Sequence, residues 1–254
     1  MWGLSPDAAT PLDEQLRGLA RAQRILAANG HAHLSLGHMS LRDPAGRGFW
    51  LKRRGLGLEE AEGAGDFLLL DLDGQAAGLE HRHAEWPIHA GIYRARPDVH
   101  AVAHSHPTHA AAFSATEAEI QAATAEGNFL AGRVAYYRRM PGLIATPELG
   151  RELAGCLGAC WVVLMKNHGL TSCGPTVAAA ALASLFAESA CRVQLLLGAS
   201  GLAWSAPDAR ELAPGGASRL ELSPRLVGEF WAYLGRDLDR REGAPSAGRP
   251  GPAC

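Results

Sequence analysis

The sequence predicts a single compact α/β domain, and three observations support this prediction. The chain has 254 residues, 47% of them hydrophobic, which is enough for a sizeable core. Segments with helical and with strand-like patterns alternate along the chain, as they do in α/β folds. No long low-complexity segment interrupts them. We expect one domain over residues 1–240, followed by a disordered tail at 241–254 that is rich in Gly, Pro and Ala.

The first predicted element is a helix over residues 10–30. Thr10 is a candidate N-cap, and Pro11 suits the first helical position because its missing N–H would have no partner there. Leu16 and Leu19 recur at helical spacing. Gly30 is expected to end the helix.

Four segments follow that predict three strands and one helix. "GFWLKR" (48–53) and "DFLLLDLDG" (66–74) are short apolar runs and predict strands, and the Asp-Gly pair at 73–74 is typical of a hairpin turn. "EWPIHAGIYRARP" (85–97) predicts a short helix. "DVHAVAHSHP" (98–107) predicts a strand.

The second half of the chain predicts two strands and three helices. In order they are the strand "GRVAYYRR" (132–139), the helix "TPELGRELAGCLG" (146–158) between a Thr cap and a Gly stop, the strand "CWVVLMKNHG" (160–169), and helices at 174–201 and 223–241. The helix at 174–201 is apolar nearly all round, so we expect it to be covered on several sides. Other subunits would provide such cover, and we therefore expect a homo-oligomer.

Composition and charge argue against several classes of partner. The net charge is −2 and the isoelectric point is about 6.6, so the chain lacks the excess of basic residues that nucleic-acid binding requires. The first 15 residues contain acids and prolines rather than a secretory signal. The most apolar stretch, 177–186, is shorter than the roughly 20 residues that span a bilayer. Five cysteines without a CxxC pair fit reduced thiols, so we expect a cytoplasmic protein.

The stretch "VHAVAHSHPTHA" (99–110) concentrates four of the 11 histidines. On a strand, His104 and His106 lie on the same side, about two rises of ~3.3 Å apart, which suits two ligands of one metal. His168 precedes a glycine at the end of another predicted strand and is a candidate third ligand. Three histidines with open coordination positions are typical of a catalytic metal site.

Other residues are weaker candidates on pattern alone. Glu85 and His89 share a helix face at i and i+4, which makes Glu85 a candidate fourth ligand or general base. A single histidine is more often a hydrogen-bonded core residue, and HxH alone is common by chance. The charges of "LKRRGLG" (51–57) are usually solvated, although its glycines permit a loop in which Arg53 or Arg54 faces an anion.

Taken in order, the motifs resemble the class II aldolase/adducin family over about residues 12–200. The matching stretches are "LGHMSLRDP", "DFLLLDLDGQ", "EWPIHAGIYRARPDVHAVAHSHP", "TPELGRELAGCLG" and "VVLMKNHGL". The resemblance implies an α/β/α sandwich with a mostly antiparallel central sheet, usually assembled as a homotetramer with active sites at subunit interfaces. It also implies that His104, His106 and His168 bind a divalent metal, with Glu85 coordinating it or moving protons.

Two departures from the sugar-phosphate aldolases of this family concern the substrate. Where those enzymes have Gly-Asn and Ser-Ser, this chain has Gly37-His38 and His83-Ala84, so the phosphate-binding side chains are missing. Imidazoles near "KRR" suit a carboxylate or a planar aromatic anion better. The chain is thus more similar to the branch that decarboxylates hydroxylated aromatic acids. We expect Glu85, His38 and His83 to be catalytic, and Ser40, Arg53 and Arg54 to bind an anionic small-molecule substrate.

The resemblance therefore predicts a metal-dependent carbon–carbon lyase. We expect it to decarboxylate a dihydroxyphthalate-like acid through a metal-held enolate, with one divalent ion that is Zn, Mn, Fe or Co. An aldolase acting on a hydroxy-ketone, phosphorylated or not, is one alternative. A non-haem iron oxygenase acting on an aromatic acid is another. A non-catalytic, adducin-like module is a third, but it predicts decayed ligands, whereas all three histidines are present. We expect no nucleic-acid or membrane partner.

Overall fold

The computed structural model describes Leu4, residues 10–140 and residues 142–243, and in them the centre of the fold is a seven-stranded sheet. Its strand order is β3-β2-β1-β4-β7-β6-β5, and every pairing is antiparallel except that of β5 with β6. The strands are β1 (His38–Arg42), β2 (Phe49–Lys52), β3 (Phe67–Leu70), β4 (Ala101–Ser105), β5 (Val134–Tyr137), β6 (Val162–Met165) and β7 (Gly169–Gly174). The expectation of a mostly antiparallel sheet is confirmed.

Helices cover both faces of the sheet. They are α1 (Leu12–Leu26), α2 (Trp86–Ala95), α3 (Thr108–Ser114), α4 (Ala125–Phe129), α5 (Pro147–Leu157), α6 (Val177–Ser200) and α7 (Pro224–Arg241). Alternate side chains of each strand enter different cores, as the period of two requires. On β4, Val102 packs in the core under α2 and α5, whereas Ala101 and Ala103 pack in a core that includes α1 and α6. The result is the expected α/β/α sandwich.

Most of the predicted elements are present, but one turn was misinterpreted. The Asp-Gly pair at 73–74 does not form a hairpin, because β3 pairs only with β2 among the described residues. Instead the Asp71 carboxylate accepts hydrogen bonds from the N–H groups of Asp73 (2.9 Å) and Gln75 (2.8 Å). This local turn is self-contained, with Gly74 at φ +78°, and the chain then proceeds to α2.

Both ends of the domain differ slightly from the prediction. Helix α1 begins at Leu12 with Pro11, not Thr10, at the N-cap position, and the helix gives way to a π-helical turn before Gly30. At the other end α7 extends to Arg241, so the first residue of the predicted tail is still helical. Residues 244–254 lie outside the described residues, and the domain boundary stays a prediction.

Helix α6 is covered by its own chain mainly along its first half. It packs against β4, β7, α1, α3, α4 and α7, and its first half is rich in buried alanines. By length and composition alone, α6 could cross a membrane, but 44% of its most apolar window is buried within the fold, as in a core helix. Its second half is more open, with Leu196 64% exposed, followed by Leu202 at 73%. An apolar surface therefore remains around the end of α6.

The exposed apolar surface at the end of α6 predicts self-association. We expect the protein to be a homo-oligomer in solution, most simply a tetramer, because a second copy would remove these leucines from water. Size-exclusion chromatography with light scattering at micromolar concentration measures the mass directly. A single species with the mass of one chain would contradict the expectation.

Two glycines allow α2 and α5 to cross closely. A Cβ atom on Gly91 would lie 2.3 Å from the carbonyl oxygen of Gly150, and one on Gly150 would lie 2.2 Å from the carbonyl oxygen of Pro87. Such distances are far below van der Waals contact, so neither position accepts even alanine without a backbone shift. The crossing fixes α2, which begins directly after Glu85.

The crossing can be tested by adding one methyl group. We expect Gly150→Ala to lower the free energy of unfolding by about 1–3 kcal/mol, because the helices must separate. Gly155→Ala is the matched control on the same helix, since nothing lies within 4 Å of its Cβ position. That control should leave stability unchanged or raise it by up to about 1 kcal/mol. Urea denaturation measures both variants, and equal effects would contradict the packing argument.

Candidate metal centre

His104 and His106 come together where β4 ends. His104 is buried on the strand, on the same face as Val102, and His106 follows one residue after the strand. Their Nε2 atoms lie 2.9 Å apart. Nδ1 of His104 lies 3.0 Å from the Thr171 hydroxyl on β7, a contact that orients the ring with Nε2 toward His106. The predicted pairing of these two imidazoles is therefore present.

His168 reaches the same place from the turn between β6 and β7 rather than from a strand end. The backbone N–H of His168 donates a hydrogen bond to the backbone carbonyl of Met165 (3.0 Å), and Asn167 adopts a positive φ of 55°. The chain then passes close to β4 at Gly169, where a Cβ atom would lie 2.4 Å from the Ser105 carbonyl oxygen. Only glycine permits this approach, which brings the rings of His168 and His106 to a centroid distance of 4.8 Å.

Glu85 completes the cluster from the position that precedes α2. Its Oε2 lies 3.5 Å from Nε2 of His104, and its Oε1 lies 3.7 Å from Nε2 of His168. The N–H of Ile144 donates to Oε1 at 3.0 Å. Burial alone would raise the pKa of Glu85, but the contacts with His104 and His168 and the hydrogen bond from Ile144 prevail and hold it well below its usual range. The side chain is thus a buried carboxylate.

The four side chains fit a divalent ion by their chemistry and spacing. One ligand atom from each of Glu85, His104, His106 and His168 lies within 4.8 Å of the others. Around a tetrahedral ion with bonds of about 2.1 Å, ligand atoms lie roughly 3.4 Å apart, a value within the range of the contacts above. Imidazoles and a carboxylate are ligands of zinc and of other first-row metals. Their role as ligands stays a prediction.

His38 and His83 lie beside this cluster with their rings in contact. The two ring centroids are 3.9 Å apart, and the His38 ring is 5.1 Å from that of His104. Burial lowers the pKa of His83 to about 4, and the positive charge of Lys52 acts in the same direction. Burial also holds the pKa of His38 well below its usual range. Both rings are therefore neutral near pH 7.

The predicted substrate-binding residues differ in their surroundings. The Ser40 hydroxyl is fully buried and lies 2.6 Å from Nδ1 of His89 and 2.8 Å from the Tyr93 hydroxyl. Arg53 is half-buried, with an Nε atom that is buried and has no hydrogen-bond partner, whereas Arg54 is exposed. No carboxylate pairs with Arg53 among the described residues. Substrate binding by these three residues stays a prediction.

Three residues near the site did not stand out in the sequence. Lys52, taken for a solvated charge, is 1% exposed and donates hydrogen bonds to the carbonyls of Ser35 (3.3 Å) and Leu56. Burial lowers its pKa to about 8. His89 and Tyr93 are buried and contact His38 and Ser40. A usable signal was present for His89, which shares a helix face with Tyr93 at i and i+4.

Comparison with known proteins identifies the relatives of this chain. Residues 17–195 match the family described as Class II Aldolase and Adducin N-terminal domain. A 3,4-dihydroxyphthalate decarboxylase from Arthrobacter keyseri is 34% identical over 200 residues, which cover 72% of this chain and 78% of that protein.

Two further similarities point to different chemistries. The structure of L-fuculose 1-phosphate aldolase from Glaciozyma antarctica PI12 has a TM-score of 0.74 and 26% identity, with 89% of each chain covered. A 4-hydroxy-3-prenylphenylpyruvate oxygenase/4-hydroxy-3-prenylbenzoate synthase from Streptomyces roseochromogenus subsp. oscitans is 37% identical over 118 residues, but these cover only 46% of this chain and 43% of that protein.

The metal centre can be tested by its content. We expect the purified protein to bind one divalent ion per chain, and His106→Ala to lose most of it, because the cluster then lacks a ligand. A chelator should lower the melting temperature of the wild type, since a ligand present at 100 times its Kd contributes about 2.7 kcal/mol. Elemental analysis and thermal unfolding provide the two measurements.

His81→Ala is the matched control, because His81 is exposed and lies outside the cluster. It should retain the metal and the chelator effect. Metal retained equally by both variants would contradict the centre.

Proposed function

Because the chain belongs to the class II aldolase and adducin family, we propose that it is a metal-dependent lyase that decarboxylates a hydroxylated aromatic acid. Its relatives support the coarser statement directly: the chain is an enzyme of the lyase class. The decarboxylase relative supports the finer one, since it shares 34% identity over most of both chains. The substrate class is argued below from the residues around the cluster.

In this proposal Glu85, His104, His106 and His168 hold one divalent ion. Bound there, the ion would act as a Lewis acid toward substrate oxygens. The carboxylate and the imidazoles converge at one place, and the pKa values of Glu85, His106 and His168 are low enough to keep these three groups in the form that binds a metal. The identity of the metal is left open by this donor set, which suits zinc, manganese, iron or cobalt alike.

The contact between His38 and His83 is the observation that carries the proposed substrate class. Two neutral imidazole rings, with centroids 3.9 Å apart and planes inclined by 56°, lie next to the cluster at 37–38 and 83–84, where the resemblance places the phosphate-binding residues of the sugar-phosphate aldolases. Imidazole rings offer edge contacts and ring-nitrogen hydrogen bonds to an oxygenated aromatic ring. They lack the amide and hydroxyl donors by which those aldolases bind phosphate. A hydroxylated aromatic acid therefore fits the site better than a sugar phosphate.

Positive charge near these rings favours an anionic substrate. The guanidinium of Arg53 has no carboxylate partner among the described residues, and its Nε is buried. The charges of Lys52 and Arg54 act on His83. A planar guanidinium binds a carboxylate with two parallel hydrogen bonds, and the unpaired guanidinium of Arg53, between Lys52 and Arg54 in the chain, is suited to that task. We assign Arg53 to the carboxylate of the substrate.

Decarboxylation requires one proton at the ring carbon that loses carbon dioxide. The carbon–carbon bond breaks, its electron pair remains on the ring carbon, and that carbon then takes a proton. Glu85, His38 and His83 are the ionisable groups near the cluster that could hold or move this proton. The Ile144 N–H and the His104 ring fix the Glu85 carboxylate in place, so it can move a proton without reorienting.

Two alternatives have support from relatives. The fuculose-phosphate aldolase structure supports an aldol cleavage on the same fold. The oxygenase relative supports the oxidation of an aromatic acid, although over less than half of each chain, and the proposed cluster would then hold iron. A requirement for dioxygen would distinguish the oxygenase from a lyase. The nature of the cleaved substrate would distinguish the aldolase from a decarboxylase.

The function is tested by carbon dioxide release without oxygen. We expect the metal-loaded enzyme to release carbon dioxide from 3,4-dihydroxyphthalate or a related hydroxylated aromatic acid under nitrogen, and to leave fuculose 1-phosphate intact. Arg53→Met should raise KM by about 10-fold or more while the metal stays bound, because a charged hydrogen bond worth about 1.5–3 kcal/mol is lost.

Arg225→Met is the control, since Arg225 is an exposed arginine on α7 that pairs with Glu229. It should change neither KM nor metal content. Efficient cleavage of the sugar phosphate without carbon dioxide release, or a strict need for oxygen, would overturn the proposal.

A further inference from the structure

A row of four buried polar side chains leads from the core of the sheet to His38. Nδ1 of His38 lies 2.7 Å from Nε2 of His89, and Nδ1 of His89 lies 2.6 Å from the Ser40 hydroxyl. That hydroxyl lies 2.8 Å from the Tyr93 hydroxyl, and the Tyr93 hydroxyl lies 3.4 Å from the backbone carbonyl of His100. At the other end Nε2 of His38 is buried and has no hydrogen-bond partner among the described residues.

Each hydrogen bond in this row uses one proton, which comes from one of its two partners. All the donors must therefore point in the same direction along the row, and two arrangements of the protons are possible. Both rings are fully buried, and the row offers no anionic partner, so each ring is treated as a neutral imidazole with a single proton. In the first arrangement every donor points toward Tyr93: His38 donates to His89, His89 to Ser40, and Ser40 to Tyr93. In the second every donor points toward His38. A mixture would leave two protons or none in one contact.

The end at Tyr93 favours the first arrangement. There the Tyr93 hydroxyl donates to the carbonyl of His100, and every N–H and O–H in the row has an acceptor. In the second arrangement Nε2 of His38 carries a proton that no group accepts, because that atom is buried without a partner. An unpaired buried donor costs about 1–3 kcal/mol. The row therefore leaves Nε2 of His38 without a proton, as a hydrogen-bond acceptor.

The row cannot supply protons from solvent. Its far end is Tyr93, which is 2% exposed, and burial raises the pKa of Tyr93 well above its usual range. Moving a proton out of Tyr93 would leave a buried tyrosinate, which is unfavourable at neutral pH. The arrangement is thus suited to fixing a tautomer and a ring orientation rather than to conducting protons.

We infer that His89 is a positioning residue that presents Nε2 of His38 as a fixed acceptor for a hydroxyl group of the substrate. The inference rests on the proposed function for the identity of that hydroxyl, which belongs to the hydroxylated aromatic ring. A site with a buried acceptor selects strongly for a hydroxyl, because an analogue without the proton leaves the acceptor unpaired. In this arrangement Ser40 and Tyr93 act on His38 through His89.

The tautomer is measured by nitrogen NMR on zinc-loaded protein with ¹⁵N-labelled histidine. A protonated ring nitrogen and an unprotonated one resonate far apart, and His38→Asn identifies the signals. We expect His38 to carry its proton on Nδ1 in the wild type. In His89→Leu the Nδ1 proton loses its acceptor, so we expect the tautomers to mix. In His89→Gln the side-chain carbonyl can accept that proton, so the wild-type tautomer should return.

The second readout compares 3,4-dihydroxybenzoate with its two monomethoxy analogues as binding probes. We expect the preference for the hydroxyl over the methoxy group to fall about 10-fold in His89→Leu and to be largely restored in His89→Gln, because one hydrogen bond is lost and regained. A merely structural role for His89 would weaken all probes equally.

A proton on Nε2 of His38 in the wild type would overturn the inference, and this result requires no variant of His89, only His38→Asn to identify the signals. An unchanged tautomer in folded His89→Leu would also overturn it. Failure of the protein to release carbon dioxide from any aromatic acid would refute the proposed function but leave the tautomer measurement standing, so the two failures can be distinguished.

Discussion

The structure depends on burying a carboxylate and several imidazoles together at the centre of a sheet. An isolated carboxylate would be costly there, yet Glu85 remains ionised because imidazoles and the Ile144 N–H surround it. Burial acts oppositely on the histidines and lowers the pKa of His106 to about 3 and of His168 to about 4. Metal binding needs deprotonated carboxylates and neutral imidazoles, and Glu85, His106 and His168 are already in these forms at neutral pH.

The buried carboxylate and imidazoles are brought together by the sheet and by two close backbone contacts, one at Gly169 and one where α2 crosses α5. Strand β4 lies between β1 and β7, which bring His38 and Thr171 against His104 from either side. The turn after β6 delivers His168 only because Gly169 lets the chain pass against β4. Glu85 is fixed separately by α2, which α5 holds through the glycine crossing. Three regions that are distant in sequence thus contribute side chains to the site, and main-chain geometry fixes where each of these side chains lies.

The sequence predicted the parts of this site that are local. His104 and His106 follow from alternation on a single strand, and the strongly apolar strands β2, β3, β4 and β6 were predicted correctly. Strands β1 and β7 were not predicted because "HMSLR" and "GLTSCG" are short and rich in small or polar residues. Cross-strand neighbours depend on which strands pair and in which register. The place of His168 at the end of a predicted strand made it only a candidate, and the resemblance to a family then implied that it is a ligand. The contact of His38 with His89 could not be predicted.

Lys52 is a second buried charge near the site, and its charge acts on the neighbouring imidazoles. An ammonium group in the core is unfavourable, and the carbonyls of Ser35 and Leu56 satisfy only its hydrogen bonds, not its charge. Burial lowers its pKa to about 8, against the opposing charges of Glu59 and Glu60, so most of the charge persists at neutral pH. That charge lowers the pKa values of His38 and His83 further. Lys52 thus helps to keep these rings neutral, the condition under which the row of hydrogen bonds through His89 has a defined direction, while adding positive potential for an anionic substrate.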